Sequence, residues 1–127
     1  MRGLLREQFK IRFPLWDRSR ELDCIGIESR KIVHVGECKP GGFNRPIQGF
    51  GQLLGVKFLI ESDFKSFKDS LPQLGLDKSE AEQIEIANVR YELFLSAKSG
   101  RRELLNAMRD KIGGPLMEIE LIFLENA

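Results

Sequence analysis

The chain has 127 residues, 42% hydrophobic and 31% charged, with a net charge of +1, a composition that suits one globular domain and excludes disordered and fibrous classes. No apolar run approaches the roughly 18 residues of a membrane span, and the N-terminal MRGLLREQFK lacks the apolar core of a secretory signal, so a single domain over 1-127, cytoplasmic (intracellular) and without membrane contact, is expected. The small total charge hides a split, since residues 1–60 hold 11 Lys and Arg against 6 Asp and Glu, a balance of +5, while residues 61–127 hold 9 against 13, a balance of −4.

Residues 3–10, GLLREQFK, suit a short helix with Leu4, Leu5 and Phe9 on one side. Arg12–Asp17 and Glu21–Ser29 read as strands about the polar turn Asp17-Arg18-Ser19-Arg20, and Lys31–Lys39 as a third, with Glu28-Ser29-Arg30 short enough for a hairpin turn. Together they form an antiparallel meander. After the loop Pro40-Gly41-Gly42, Asn44 is suited to cap a helix, Pro46 is tolerated in its first turn, and Ile47, Phe50, Leu53, Leu54 and Phe58 recur near helical period to about Ile60. Residues 61–87 read as partly helical: Phe64 and Phe67 extend the period, and Pro72 and Gly75 break it before the acidic Asp77–Glu85. Val89–Ala97 alternates as a strand, Ser99 caps a helix to Ile112 that Gly113 stops, and Met117–Leu124 is the last strand. The order αβββαβαβ ends in a strand-helix-strand unit, which requires a crossover and a partly parallel sheet.

The chemistry lies in Glu21-Leu22-Asp23, followed fourteen residues after Asp23 by Glu37-Cys38-Lys39. In a strand, alternation sends Glu37 and Lys39 to one face and Cys38 to the other. A hairpin turn at 28–30 sets Asp23 opposite residues 35–37, where its carboxylate can meet that of Glu37. Two carboxylates that close raise each other's pKa unless a cation lies between them. Hard oxygen donors select Mg²⁺ (or Mn²⁺), with the backbone carbonyl of Cys38 as a further donor. Lys39 adds an ammonium able to position a water and to offset negative charge on a transferring phosphoryl group.

Asp23, the spacing to Glu37-Cys38-Lys39 and the glutamine-bearing helix that follows resemble the PD-(D/E)xK nuclease superfamily, over about residues 3–97. The resemblance implies an α/β, restriction-endonuclease-like fold: an αβββαβ core, a mixed sheet flanked by helices, here with a C-terminal helix and strand added. It implies a metal-dependent endo- or exodeoxyribonuclease of DNA repair, recombination or restriction, in which Asp23 and Glu37 hold Mg²⁺, Lys39 orients the attacking water and Gln52 supports it. The stretch from Glu21 through Gly51-Gln52-Leu53-Leu54 is similar to DNA-repair nucleases and Holliday-junction resolvase-like members. Gln48 lies one turn before Gln52, and Glu7 falls where members with an acidic first helix carry that residue. Leu22 replaces the proline of the motif name, and Val56 stands where the Gln-xxx-Tyr branch has tyrosine. The alternative is a catalytically inactive module of the same fold that binds nucleic acid or a protein partner. With DNA as the partner, Arg18, Arg20, Arg45, Lys57, Arg101 and Arg102 are candidate phosphate contacts, and a domain this small that cuts two strands is expected to work as a homodimer.

Plainer readings stand beside these. Asp23, Glu37 and Lys39 could form a cross-strand salt bridge on a solvated face, worth under about 1 kcal/mol. Cys24, His34 and Cys38 share a parity opposite the carboxylates, but three ligands without a zinc spacing read as free thiols and a satisfied core histidine. Gly51 and Gly55, each costing about 1 kcal/mol within a helix, read as sites of close helix–sheet packing.

Overall fold

A computed structural model of the chain describes residues 4–6, 9–13, 18–22, 24–39, 45–96 and 102–124. Its centre is a hairpin of β4 (Cys24–Glu28) and β5 (Ile32–Lys39), antiparallel with Cys24 opposite Gly36 and Glu28 opposite Ile32. The three-residue turn between them is built without glycine: Ser29 and Arg30 take φ of 53° and 58°, the left-handed pair that matches strand twist, and the Lys31 amide closes it by donating to the Glu28 carbonyl at 3.1 Å. Arg30 is held there from outside the turn. Its guanidinium binds the Glu80 carboxylate and donates to the Gly75 carbonyl at 3.1 Å.

β1 (Leu4–Arg6) pairs antiparallel with the other edge of β4, Leu4 opposite Ile27. β6 (Val89–Ser96) lies parallel to β5, with Glu37 opposite Leu93, and β7 (Ile119–Leu124) lies parallel to β6. The result is a mixed five-stranded sheet in the order β1-β4-β5-β6-β7. β2 (Phe9–Phe13) and β3 (Arg18–Leu22) form a separate two-stranded ribbon.

Two of these elements correct the sequence reading. The helix expected over residues 3–10 is replaced by β1 and the start of β2. An eight-residue helix is too short to be stable alone, whereas a strand beside β4 gains a ladder of backbone hydrogen bonds. Arg18-Ser19-Arg20, expected in a turn, are strand residues opposite Phe13, Arg12 and Ile11. The apolar alternation Phe9, Ile11, Phe13 therefore belongs to a ribbon, and the expected strand Glu21–Ser29 is the end of β3 followed by β4.

The crossover from β5 to β6 carries α1 (Arg45–Ser62), α2 (Phe64–Ser70), a 3₁₀ turn over 71–74, α3 (Lys78–Glu82) and a second 3₁₀ turn over 86–88. The return to β7 carries α4 (Arg102–Ile112), which ends at Gly113 with φ of 67°, a conformation that favours glycine. Alternate strand positions Val33, Val35, Tyr91, Leu93, Leu95 and Ile119 form one core. Phe50, Leu53, Val56 and Ile60 of α1, Phe67 of α2 and Leu105 of α4 close it. On the other parity, a Cβ on Gly36 would lie 2.5 Å from Cys24 Sγ and 2.7 Å from the Phe94 ring, so only glycine fits between them. Among the described residues no helix is long and apolar enough to cross a membrane.

Candidate active site

β5 is the middle strand of the sheet, and its carboxyl end is where a parallel α/β sheet opens a crevice for ligands. Val33 and Val35 on one face are fully buried, and Glu37, next on that face, is only 4% exposed. A carboxylate brought into an apolar core loses hydration worth several kcal/mol unless charge or hydrogen bonds compensate it, and Glu37 keeps a polar interaction within the chain. Cys38 points the other way and is exposed. Lys39 ends the strand opposite Leu95; its side chain lies outside the described residues, as do Asp23, Glu7 and Arg101 entirely. The β4–β5 pairing is described up to Cys24 and Gly36.

α1 packs on β5 and β6 and carries both glutamines. Gln48, in its first turns, is exposed. Gln52 is partly buried, and its amide oxygen is sealed from solvent without accepting a hydrogen bond. It flanks the stripe of Leu53 and Val56 that faces the sheet. Arg18 and Arg20 lie in β3, Arg45 opens α1 and Arg102 opens α4, with side chains outside the described residues.

Lys57, expected as a phosphate contact, faces two carboxylates of its own chain. It is 8% exposed, its ammonium binds the Glu61 carboxylate and lies 2.6 Å from Glu118 Oε2, and it sits 5.4 Å from the centre of the Tyr91 ring. Burial pulls its pKa down, but hydrogen bonds to Glu118 and Glu61 outweigh burial and hold the ammonium above its usual range. Two carboxylates already balance this cation. The same group lines an open cleft of about 620 Å³ where β6 begins, with Arg90 and Val89. Tyr91, buried there with a hydroxyl that makes no hydrogen bond, has its pKa raised by burial and then by Glu61 and Glu118.

A second polar group lies on the other parity. His34 Nε2 is 2.6 Å from Glu28 Oε1 and Nδ1 is 3.1 Å from Glu92 Oε2, and both His34 and Glu92 are buried. The sequence reading of His34 as a satisfied core histidine agrees with this geometry, but Glu92 was missed as its partner. The available signal was a glutamate within a strand flanked by parallel neighbours, where both faces are commonly covered. Among the described residues no three His, Cys, Asp or Glu side chains gather as a metal-holding group; Asp23 lies outside that set.

Comparison with family models, with curated proteins and with solved structures finds no match.

Proposed function

We propose that the chain is a metal-dependent deoxyribonuclease of the PD-(D/E)xK type, hydrolysing phosphodiester bonds of DNA in repair, recombination or restriction. The observation that carries the reading is Glu37, a carboxylate 4% exposed near the carboxyl end of the middle strand. Support comes from the register, in which Cys24 pairs with Gly36: the proposal requires the ladder to run one pair further, to Asp23 and Glu37. Further support comes from Gln52, whose buried amide oxygen lacks a donor. These donors fit a hard cation, being carboxylate, amide and carbonyl oxygens.

Asp23 and Glu37, with the Cys38 carbonyl, would hold Mg²⁺ or Mn²⁺. Bound there, the ion supplies Lewis-acid stabilisation of the phosphate and a more acidic water. The residues do the rest. Lys39, sharing the Glu37 parity, orients the attacking water and offsets charge on the phosphoryl oxygens, and Gln52 accepts a hydrogen bond from that water.

The test is incubation of the purified chain with branched, single-stranded and duplex DNA in Mg²⁺, Mn²⁺ or EDTA. Cleavage with metal and none in EDTA is expected, and Glu37→Gln or Lys39→Ala should slow it at least about a hundredfold. DNA binding without cleavage under every condition would replace this reading by a catalytically inactive nuclease-fold module.

A further inference from the structure

The start of β6 holds polar groups that cleavage of DNA does not use. Tyr91 is 3% exposed, and its ring lies with its centre 5.4 Å from the Lys57 ammonium. Its hydroxyl is sealed from solvent and makes no hydrogen bond among the described residues. A buried hydroxyl without a partner has lost its hydration with nothing in return, and a ligand is one reason to keep such a group. Tyr91 also lines the open cleft of about 620 Å³, a size within the range of small-molecule sites.

The charge around the hydroxyl selects the ligand. One cation, Lys57, faces two carboxylates, Glu61 and Glu118, for a sum of −1. Both contacts use Oε2, whereas a carboxylate has room for about four hydrogen bonds. With side chains 36% and 61% exposed, Glu61 and Glu118 keep acceptor capacity toward the cleft. Arg90, the other cation of the lining, turns its guanidinium to the Ala87 carbonyl at 2.6 Å. Ile86, 46% exposed, gives the cleft an apolar wall.

We propose that this cleft binds an organic ammonium with a short hydrocarbon body, the amine donating to Glu61, Glu118 and the Tyr91 hydroxyl oxygen and the body lying on Ile86. An ammonium has three N–H donors and no acceptor, and three acceptor groups are gathered here about Lys57. An anion would meet two carboxylates, and a neutral alcohol would leave the excess negative charge unbalanced. A bare metal ion lacks a place, since Lys57 already stands between the carboxylates. Glu118, the more exposed of the two, is the wall that turns aside for the amine to reach the sealed hydroxyl. Free alkylamines and the lysine side chain of another protein share this chemistry. Tyr91 pairs with Val35, two positions before the Leu93 that pairs with Glu37, and the inference does not depend on whether the chain cleaves DNA.

Tyr91 is the only tyrosine of the chain, so ring-labelled tyrosine gives a single NMR signal at the site itself. Titration with pentylamine should move that signal saturably, with a dissociation constant of about 1 mM or tighter, and pentanoate should not. Putrescine and Nα-acetyl-lysine methylamide, titrated in parallel, distinguish a free amine from a lysine side chain by which of them binds more tightly. By calorimetry, Tyr91→Phe and Glu118→Gln should each weaken pentylamine binding about fivefold or more. Tyr91→Phe should also keep or exceed the wild-type thermal midpoint, because the hydroxyl it removes makes no bond. Absence of a saturable shift with pentylamine, an equal shift with pentanoate, or binding unweakened in either variant overturns the proposal.

Discussion

The buried, unbonded amide oxygen of Gln52 carries a desolvation cost of about 1–3 kcal/mol, and packing gives no reason for it. Gln52→Leu should therefore raise the thermal midpoint, by about 1 kcal/mol of added stability, while lowering DNA cleavage; unchanged cleavage in the stabilised variant would remove Gln52 from the site. Lys57 should behave in the opposite way. Lys57→Met strands Glu61 and Glu118 beside the Tyr91 ring, and since both carboxylates are partly solvated the expected loss is about 1–3 kcal/mol, below the cost of breaking a fully buried pair. Denaturant midpoints measure that loss. DNA affinity should hardly change, because a cation already balanced by two carboxylates has little charge to offer a phosphate.

The β4–β5 hairpin depends on a tether to α3. Glu80 caps that helix reciprocally with Asp77, the Glu80 amide donating to Asp77 Oδ1 at 2.7 Å and the Asp77 amide to Glu80 Oε1 at 2.9 Å, while its carboxylate also binds Arg30. The Arg30 hydrogen bond, then the Asp77 amide, pull the Glu80 pKa from 4.5 to about 2. A carboxylate depressed in the folded state contributes stability above its unfolded pKa and loses it as pH falls through the folded one. The difference in urea midpoint between wild type and Glu80→Gln should thus be full above pH 4.5 and fade toward pH 2; a difference that persists at pH 2 would mean that the carboxylate charge is not what Arg30 requires. The tether also explains how two non-glycine residues keep left-handed backbones at this turn: bonds at the Arg30 guanidinium oppose the strain.

For the molecule as a whole, the balance of +5 in residues 1–60 against −4 in residues 61–127 predicts DNA binding that weakens with salt. Log affinity should fall linearly with log salt, by about 0.9 for each duplex phosphate neutralised. Lys57→Met should leave that slope unaltered, which separates it from Arg18, Arg20 and Arg45. Binding indifferent to salt, measured by titration from dilute to physiological buffer, would exclude the basic half as a phosphate-facing surface.

Local pattern was enough for β5, α1, β6, α4 and β7, whereas residues 61–87 read only as partly helical and β4 only as part of a longer strand. The alternation of Ile32–Lys39 and Val89–Ser96, the helical period from Ile47 to Ile60 and the stop at Gly113 are properties of neighbouring residues, and α-helix and strand report them directly. The N-terminal segment was not legible in this way, because Leu4–Arg6 becomes a strand only through the free edge of β4, where Leu4 pairs with Ile27 and Arg6 with Ile25. The same division runs through the side chains. Parity placed Glu37 on one face and Cys38 on the other, but the depth of Glu37 follows from α1 closing over β5. Lys57 and Glu118 stand 61 positions apart in the sequence and meet at 2.6 Å, so nothing local distinguishes Lys57 from a solvated lysine. That Gly51 and Gly55, expected at a close helix–sheet contact, meet no described residue within 4 Å of an added Cβ is likewise decided by which side of α1 the sheet occupies, a choice that the summed burial of Leu53, Val56 and Ile60 makes and that no single glycine reveals.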